Sequence, residues 1–172
     1  MKRTALILIV CLSLFAACKK TVDSEKRSWD VNLRLANELT YEFPSFSGVI
    51  KQQIQIAETA MNQAIGIGDE KIKIQKMADA NTLLNSGFIS NLKEIKSLKQ
   101  SVRSKTIDAR GLKLEYNEMM STNQAISAAE KSVFDAENKL RSVVNTKADA
   151  DALSGLVITD LRAAVAGLEK II

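Results

Sequence analysis

Apolar side chains recur every three or four positions through most of this chain, the spacing that places them on one face of an α-helix. Four such stripes follow one another along the sequence, and we expect each to be the buried face of one helix. The stripes are Phe46, Ile50, Ile54, Ala57, Met61 and Ala64; Ile74, Met77, Asn81, Leu84, Phe88, Leu92, Ile95, Leu98 and Val102; Leu112, Tyr116, Met119, Asn123, Ile126, Ala129, Val133, Ala136, Leu140 and Val144; and Leu153, Val157, Leu161, Ala164, Leu168 and Ile171.

Turn and capping residues set the limits of the first two helices. A shorter helix is expected over residues 28–41, and Pro44 ends it because proline disfavours helical geometry in the residue before it. The first stripe ends at Gly66-Ile67-Gly68, a helix-terminating turn. Asp69 then has the position of a cap for the next helix.

The remaining boundaries are set by fewer signals. Ser86-Gly87 is expected to loosen or bend the second helix, and the third begins between Thr106 and Leu112. Thr146 and Asp149 have the spacing of a capping box, in which side chains and backbone bond reciprocally, and they start the last helix.

Each stripe has the two-in-seven pattern of left-handed helix packing, and short polar connections favour antiparallel neighbours. The sequence therefore predicts an all-α fold, an elongated up-and-down bundle of about four helices with coiled-coil-like packing. Asn81 and Asn123 interrupt two stripes. Such a polar residue more often fixes helix register or oligomeric state than takes part in chemistry.

The first 17 residues follow a different pattern. Lys2 and Arg3 precede an apolar run over residues 5–15, and the small residues Ala16 and Ala17 follow. A membrane-spanning helix needs about 20 apolar residues, so the run is too short to be retained as a span. We expect residues 1–17 to be a cleaved signal peptide.

Cys18 follows directly, in the position of the lipid-bearing cysteine of bacterial lipoproteins, whose leader this segment resembles except for Phe15 where leucine is commoner. Acyl chains such as palmitate on Cys18 would hold the mature chain on a membrane. The alternative is an ordinary secretory signal that leaves Cys18 as a free thiol, which suits an oxidising compartment poorly.

The predicted organisation has three parts. Residues 1–17 are the signal peptide, residues 18–27 are the lipidated cysteine and a short polar tether, and residues 28–172 are the helical domain. Many lipoproteins that stay in the inner membrane have an aspartate directly after the lipidated cysteine, whereas this chain has Lys19 there. In a bacterium with two membranes, this difference favours the outer membrane. We therefore expect a protein of the cell envelope that faces the periplasm or the exterior.

Composition excludes several classes of function. Cys11 lies within the leader, so a mature chain acylated at Cys18 has no thiol for a disulfide, and the sequence contains no histidine. We therefore expect no metal site, no cofactor and no enzyme activity. Loss of Lys2 and Arg3 with the leader leaves 22 basic side chains against 20 acidic ones, a net charge of +2. The strongly basic surface typical of nucleic-acid binding is absent.

Two segments resemble the LemA family. Residues 43–50 are similar in type and spacing to its Ile-Pro-Asn-Leu-Val-x-Thr-Val motif. A second family segment, Thr-x-x-x-Ile-x-x-Ala-x-x-x-Tyr-x-Asp-Ala, is similar to Thr122, Ile126, Ala129, Phe134, Asp135 and Ala136, with Phe134 one position later than the aromatic. The resemblance implies an envelope-anchored antiparallel helical bundle and transfers no functional residue. The chain lacks the family's retained membrane helix and its Tyr-Pro-Asp connection.

A cluster of cations near the middle of the chain is the candidate binding patch. It comprises Lys93, Lys96, Lys99, Arg103, Lys105, Arg110 and Lys113. Lys96, Lys99 and Arg103 fall along one edge of the apolar stripe, where cations ordinarily pair with acids of a neighbouring helix, and Glu115, Glu118 and Glu130 are available. Alternatively, Lys93, Lys96, Lys99 and Arg103 contact a partner or an anionic envelope ligand, either a phosphate-bearing polymer or lipid headgroups.

Other candidate sites have structural explanations. Asp149 and Asp151, with Asp160 further along, are a candidate carboxylate cluster for calcium, but alanines alternate with the first two acids, and helix capping explains these two better. An aromatic group near the tether, Trp29, Tyr41, Phe43 and Phe46, fits helix packing or a membrane interface.

We therefore expect a lipid-anchored, non-enzymatic scaffold or protein-interaction module. Its expected partners are the membrane, through the N-terminal lipid, and a protein or a second copy of the chain, with Ile171 and Ile172 of the last helix free to pair between copies. The alternative function is binding of anionic envelope ligands through a basic end of the bundle.

Overall fold

The structure, a computed structural model, describes residues 20–172. The predicted signal peptide and the Cys18 attachment site lie outside the described residues. Residues 20–172 form six α-helices and no strand, which confirms the all-α prediction. The helices are α1 Val22–Glu42, α2 Ser47–Ile65, α3 Glu70–Asn85, α4 Phe88–Arg110, α5 Tyr116–Leu140 and α6 Lys147–Glu169, with a 3₁₀ turn Pro44–Phe46 between α1 and α2.

The start of α1 corrects the predicted boundary between tether and domain. Residues 22–27, assigned to a solvated tether, form the first turns of α1. Thr21 caps this helix because its hydroxyl accepts a hydrogen bond from the Ser24 backbone, while the Ser24 hydroxyl accepts one from the Thr21 backbone. Glu25 is buried, so the domain begins about six residues earlier than predicted.

The predicted second helix is two helices. Its apolar stripe runs through α3 and α4 as expected, but Ser86 and Gly87 separate them. Gly87 has φ +61° and ψ −135°, a conformation outside the helical region that side chains rarely adopt. The chain therefore turns sharply where the sequence predicted only a bend.

The prediction of the third stripe is wrong for the first turns of α5. Tyr116, Met119 and Asn123 are exposed, and Thr122 is buried in their place. From Ile126 onward the predicted positions face the core or its edge. The first turns of α5 therefore extend past the core that receives the rest of the helix.

The helices pack around two clusters of buried side chains. The larger cluster joins α1, α2 and α3 to the first half of α4 and to parts of α5 and α6. The smaller one joins the last turns of α4 and α6 to α5, through residues that include Val102, Ile126 and Leu168. The predicted apolar stripe of α2 is buried, and Thr146 and Asp149 form the predicted capping box at the start of α6.

Ion pairs and hydrogen bonds define the directions of the last three helices. Asn91 bonds Ser154 near the start of α4 and α6, whereas Lys105 pairs with Glu169 near their ends. Helices α4 and α6 are therefore parallel, and α5 runs antiparallel to both as the returning helix.

Candidate functional site

Helix α4 carries the predicted binding residues, and its cations are bonded to side chains of other helices. Lys96 Nζ lies 2.8 Å from Glu42 Oε2 at the end of α1, and Lys99 Nζ lies 2.6 Å from Glu137 Oε1 on α5. Lys93 Nζ donates a hydrogen bond to Asn85 Oδ1 at the end of α3. These three lysines therefore connect α4 to three neighbouring helices.

The later part of the cluster is only partly paired. Lys105 Nζ lies 3.0 Å from Glu169 Oε1, and Arg110 Nη2 lies 2.6 Å from Glu130 Oε1. Arg103 has no carboxylate within 4 Å among residues 20–172. Of the four predicted contact residues, Arg103 is thus the exposed one that is held by neither an ion pair nor a hydrogen bond to any residue that the structure describes, although its charge contributes to lowering the pKa of Glu137.

The pKa values follow this pairing. The pKa of Lys96 is raised, chiefly by its hydrogen bond to Glu42, and the pKa of Glu137 is lowered, chiefly by its hydrogen bond to Lys99. Burial lowers the pKa of Lys93. Because the Glu137 pKa is depressed in the folded state, its pairing stabilises the fold above about pH 4.5, its ordinary value, and is lost as pH falls below it.

The acids that the sequence offered as pairing partners have other roles. Glu115 and Glu118 form the capping box of α5, so they do not reach the lysines of α4. Only Glu130 of the three pairs with the cluster, through Arg110. The real partners come from segments distant in sequence, which spacing alone does not identify.

An open cleft lies between the second half of α4 and α5, where the two helices separate. Its volume is about 390 Å³. Thr106 is only 5% exposed, and its hydroxyl has no hydrogen-bond partner within the described part of the chain. The cleft is lined by Val102, Arg103, Thr106, Ile107 and Arg110 of α4 and by Glu130 and Val133 of α5.

A buried polar network joins α1 to α3. The Asn81 side-chain nitrogen donates to the Glu25 carbonyl at 3.1 Å and to Glu25 Oε2 at 3.0 Å, while Asn32 donates to Asn81 Oδ1 at 3.3 Å. Lys20 Nζ lies 3.6 Å from Glu25 Oε1. Asn81 therefore has the structural role expected of a polar residue in a stripe, because its bonds fix how α3 lies against α1.

The carboxylates considered for metal binding each have another role. Asp149 completes the capping box of α6, Asp151 pairs with Lys147, and Asp160 Oδ2 lies 2.6 Å from Lys139 Nζ. Across residues 20–172, no group of three or more acids or other ligating side chains could hold a metal ion.

The aromatic group near the start of the domain divides into two. Trp29, Phe43 and Phe46 are buried, and the rings of Phe43 and Phe46 meet edge to face at 6.4 Å. Tyr41 is largely exposed. Packing therefore accounts for three of the four residues.

One surface feature was missed by the sequence interpretation. Tyr116, Met119, Met120 and Phe134 of α5 are exposed, and Phe134 lies 18 residues, about five turns, beyond Tyr116 on the same side of the helix. We call this set the outer face of α5. The spacing also fits this face, but the three-to-four-residue periodicity predicts Tyr116 and Met119 in the buried stripe instead.

No protein-family model, curated protein or solved structure matches the chain. Within residues 20–172, no helix combines the length and the apolar character that crossing a membrane requires. The lipoprotein leader and the resemblance to the LemA family stay predictions.

Proposed function

We propose that this chain is a bacterial lipoprotein, held at an envelope membrane by acyl chains on Cys18, whose helical domain acts through contact with a protein and without catalysing a reaction. In a bacterium with two membranes, the outer one is the proposed site. The partner is another protein or a second copy of the chain. The resemblance to the LemA family agrees with this proposal.

The distance between anchor and domain supports a function close to the membrane. Helix α1 begins at Val22, four residues after Cys18. Four extended residues reach at most about 14 Å. A domain tethered in this way stays beside the bilayer, where Lys19 and Lys20 add attraction to anionic headgroups.

The outer face of α5 is the observation that carries the proposed protein contact. Its four large side chains are between 48% and 77% exposed. Methionine adapts to different partner surfaces, and aromatic residues are enriched where proteins bind one another. An exposed row of such residues on one helix is typical of an interaction surface.

Helix α5, which carries this surface, packs against α4 and α6. An elongated antiparallel bundle of about four helices with coiled-coil-like packing is part of the proposal, and the antiparallel course of α5 beside α4 and α6 supports it. Helix α5 has 25 residues, about 37 Å of length. An extended helical face of that length suits a partner that is itself helical.

The anchor is tested by replacing Cys18 with serine. In a bacterial host fed a clickable palmitate analogue, we expect the wild-type chain to carry the label and to have lost residues 1–17. The C18S variant should lose the label completely, because serine provides no thiol for the acyl transfer. Mass spectrometry of the purified chain measures both properties. A wild-type chain that is cleaved but unlabelled would show that Cys18 is not the lipid attachment site.

The contact surface is tested by crosslinking in intact cells. A photoreactive phenylalanine analogue at position 134 should give a discrete crosslinked product, because this side chain is 63% exposed on the outer face of α5. The same analogue at Glu58, an exposed position on α2, is the matched control and should give little product. Mass spectrometry then distinguishes a second copy from another protein. Equal yields at the two positions would contradict the proposed contact surface.

A further inference from the structure

The cleft between α4 and α5 combines three kinds of group that a binding site for a small amphiphile requires. The first is cationic. Arg103 and Arg110 lie two turns apart on one side of α4 and both line the cleft, and Arg103 has no carboxylate within 4 Å in the described residues. Guanidinium groups bind carboxylate and phosphate oxygens through paired hydrogen bonds.

The second kind of group is apolar. Val102, Ile107 and Val133 also line the cleft, and Ile107 is 69% exposed although it is a large aliphatic side chain. Burial of such a side chain by a ligand is favourable. The volume of about 390 Å³ falls within the range of small-molecule sites.

The third is a buried polar group without a partner. Thr106 lies between Arg103 and Arg110 in the cleft, and its hydroxyl forms no hydrogen bond to any of residues 20–172. A buried hydroxyl without a partner is unfavourable, and such groups are rare in folded proteins. Since the hydroxyl oxygen is itself buried, a ligand oxygen satisfies it once the Thr106 side chain rotates toward the cleft.

We infer that this cleft binds a single-chain amphiphile with an anionic head group, a carboxylate or a phosphate, whose acyl chain lies against Val102, Ile107 and Val133. Arg103 holds the head group. Arg110 is shared between the ligand and Glu130, whose carboxylate already lies 2.6 Å from it. Glu130 is therefore an internal competitor of the ligand.

The pairing of the other cations favours a ligand with one charged head over a polymeric anion. A polymer with many phosphates requires a row of available cations along α4, and Lys96, Lys99 and Lys105 are bonded to acids of neighbouring helices. The inference does not depend on the proposed lipid anchor or on the outer face of α5.

The test uses the full chain in isolated membranes and photoreactive probes. The probes are dodecanoate, dodecyl phosphate and dodecanol, each with a diazirine near the head group, and the adduct is mapped by mass spectrometry. We expect dodecanoate or dodecyl phosphate to label residues 102–110 and 130–133, and the stronger of the two identifies the head group. Dodecanol should label these residues weakly.

Three variants distinguish binding from simple proximity. Arg103→Gln should lower anionic labelling about tenfold, since a hydrogen bond to a charged group is lost. Glu130→Gln should raise it about two- to fivefold, because an exposed ion pair that competes with the ligand is removed. Arg34→Gln, an exposed arginine on α1, is the matched control and should change nothing. Circular dichroism verifies that each variant is folded.

Arg103→Gln and Glu130→Gln are expected to change anionic labelling in opposite directions, which simple proximity to the membrane does not produce. Labelling that is equal for dodecanol and the anions, or unchanged in Arg103→Gln, would overturn the inference. Adducts spread over the whole chain would overturn it as well, because they indicate membrane proximity rather than a site.

Discussion

Replacement of Phe88 by alanine is expected to lower the free energy of unfolding by about 3–5 kcal/mol. Phe88 is fully buried in the larger core, at the first position of α4 and directly after the turn that separates α3 from α4. Truncation removes most of a large side chain and leaves a cavity that two helix ends cannot close. Urea unfolding of the purified chain, followed by far-UV circular dichroism, measures the loss.

Two further variants test whether the loss of stability in Phe88→Ala comes from the removal of a buried side chain. Phe134→Ala removes the same side chain from a position that is 63% exposed, and its effect should stay within about 0.5 kcal/mol. Phe88→Leu keeps most of the buried volume and should cost less than the alanine variant. Equal destabilisation by Phe88→Ala and Phe134→Ala would mean that Phe88 does not occupy a packed core in solution.

Local signals predicted the helices well where packing and sequence agree. All six members of the stripe from Phe46 to Ala64 are buried, five of them in α2 and Phe46 in the 3₁₀ turn before it, and Asp69 caps α3 through the Ile72 backbone as expected. Pro44 ends α1 as proline chemistry requires. Each of these features depends on residues within one or two turns of one another, which a sequence displays directly.

Features that depend on distant residues could not be predicted in this way. Residues 22–27 are polar and were assigned to a tether, but burial of Glu25 depends on Asn81, 56 positions later. Glu25 is in turn the partner that gives Asn81 its structural role in the stripe. A charged residue in a buried position is recognisable only when its partner is known, because an unpaired charge would belong in water.

The candidate site was only partly visible in the sequence for a related reason. Arg103 was among the predicted contact residues, whereas Thr106 and Ile107 were assigned to the region where one helix ends and the next begins. Helix α4 continues to Arg110, which brings these residues into line with Arg103. The cleft then results from the separation of α4 and α5, a tertiary property that helical periodicity does not encode.

The apolar spacing of α3 continues into α4, yet the helix is interrupted between them at Ser86 and Gly87. The variant Gly87→Ala tests this turn. We expect this variant to lower the free energy of unfolding by about 2–4 kcal/mol, the sum of backbone strain and a close contact. At φ +61° and ψ −135°, a Cβ atom is strained whatever space surrounds it. It would also lie 2.6 Å from Asp151 Oδ1, at the start of α6. Thermal and urea unfolding measure the effect.

The free-energy cost of the backbone strain and that of the close contact with Asp151 can be measured separately. Gly155→Ala, in the middle of α6 with no atom within 4 Å of the added methyl group, is the matched control and should raise stability by about 0.5–1 kcal/mol, the difference in helix propensity. In an Asp151→Ala background the contact is absent, so Gly87→Ala should cost only the strain, and the difference between the two backgrounds measures the contact. If Gly87→Ala were as stable as wild type, residue 87 would have neither the positive φ nor the close approach to Asp151 that the structure shows. A sharp loss that becomes smaller in the Asp151→Ala background would show that the turn lies against the start of α6, as the structure has it.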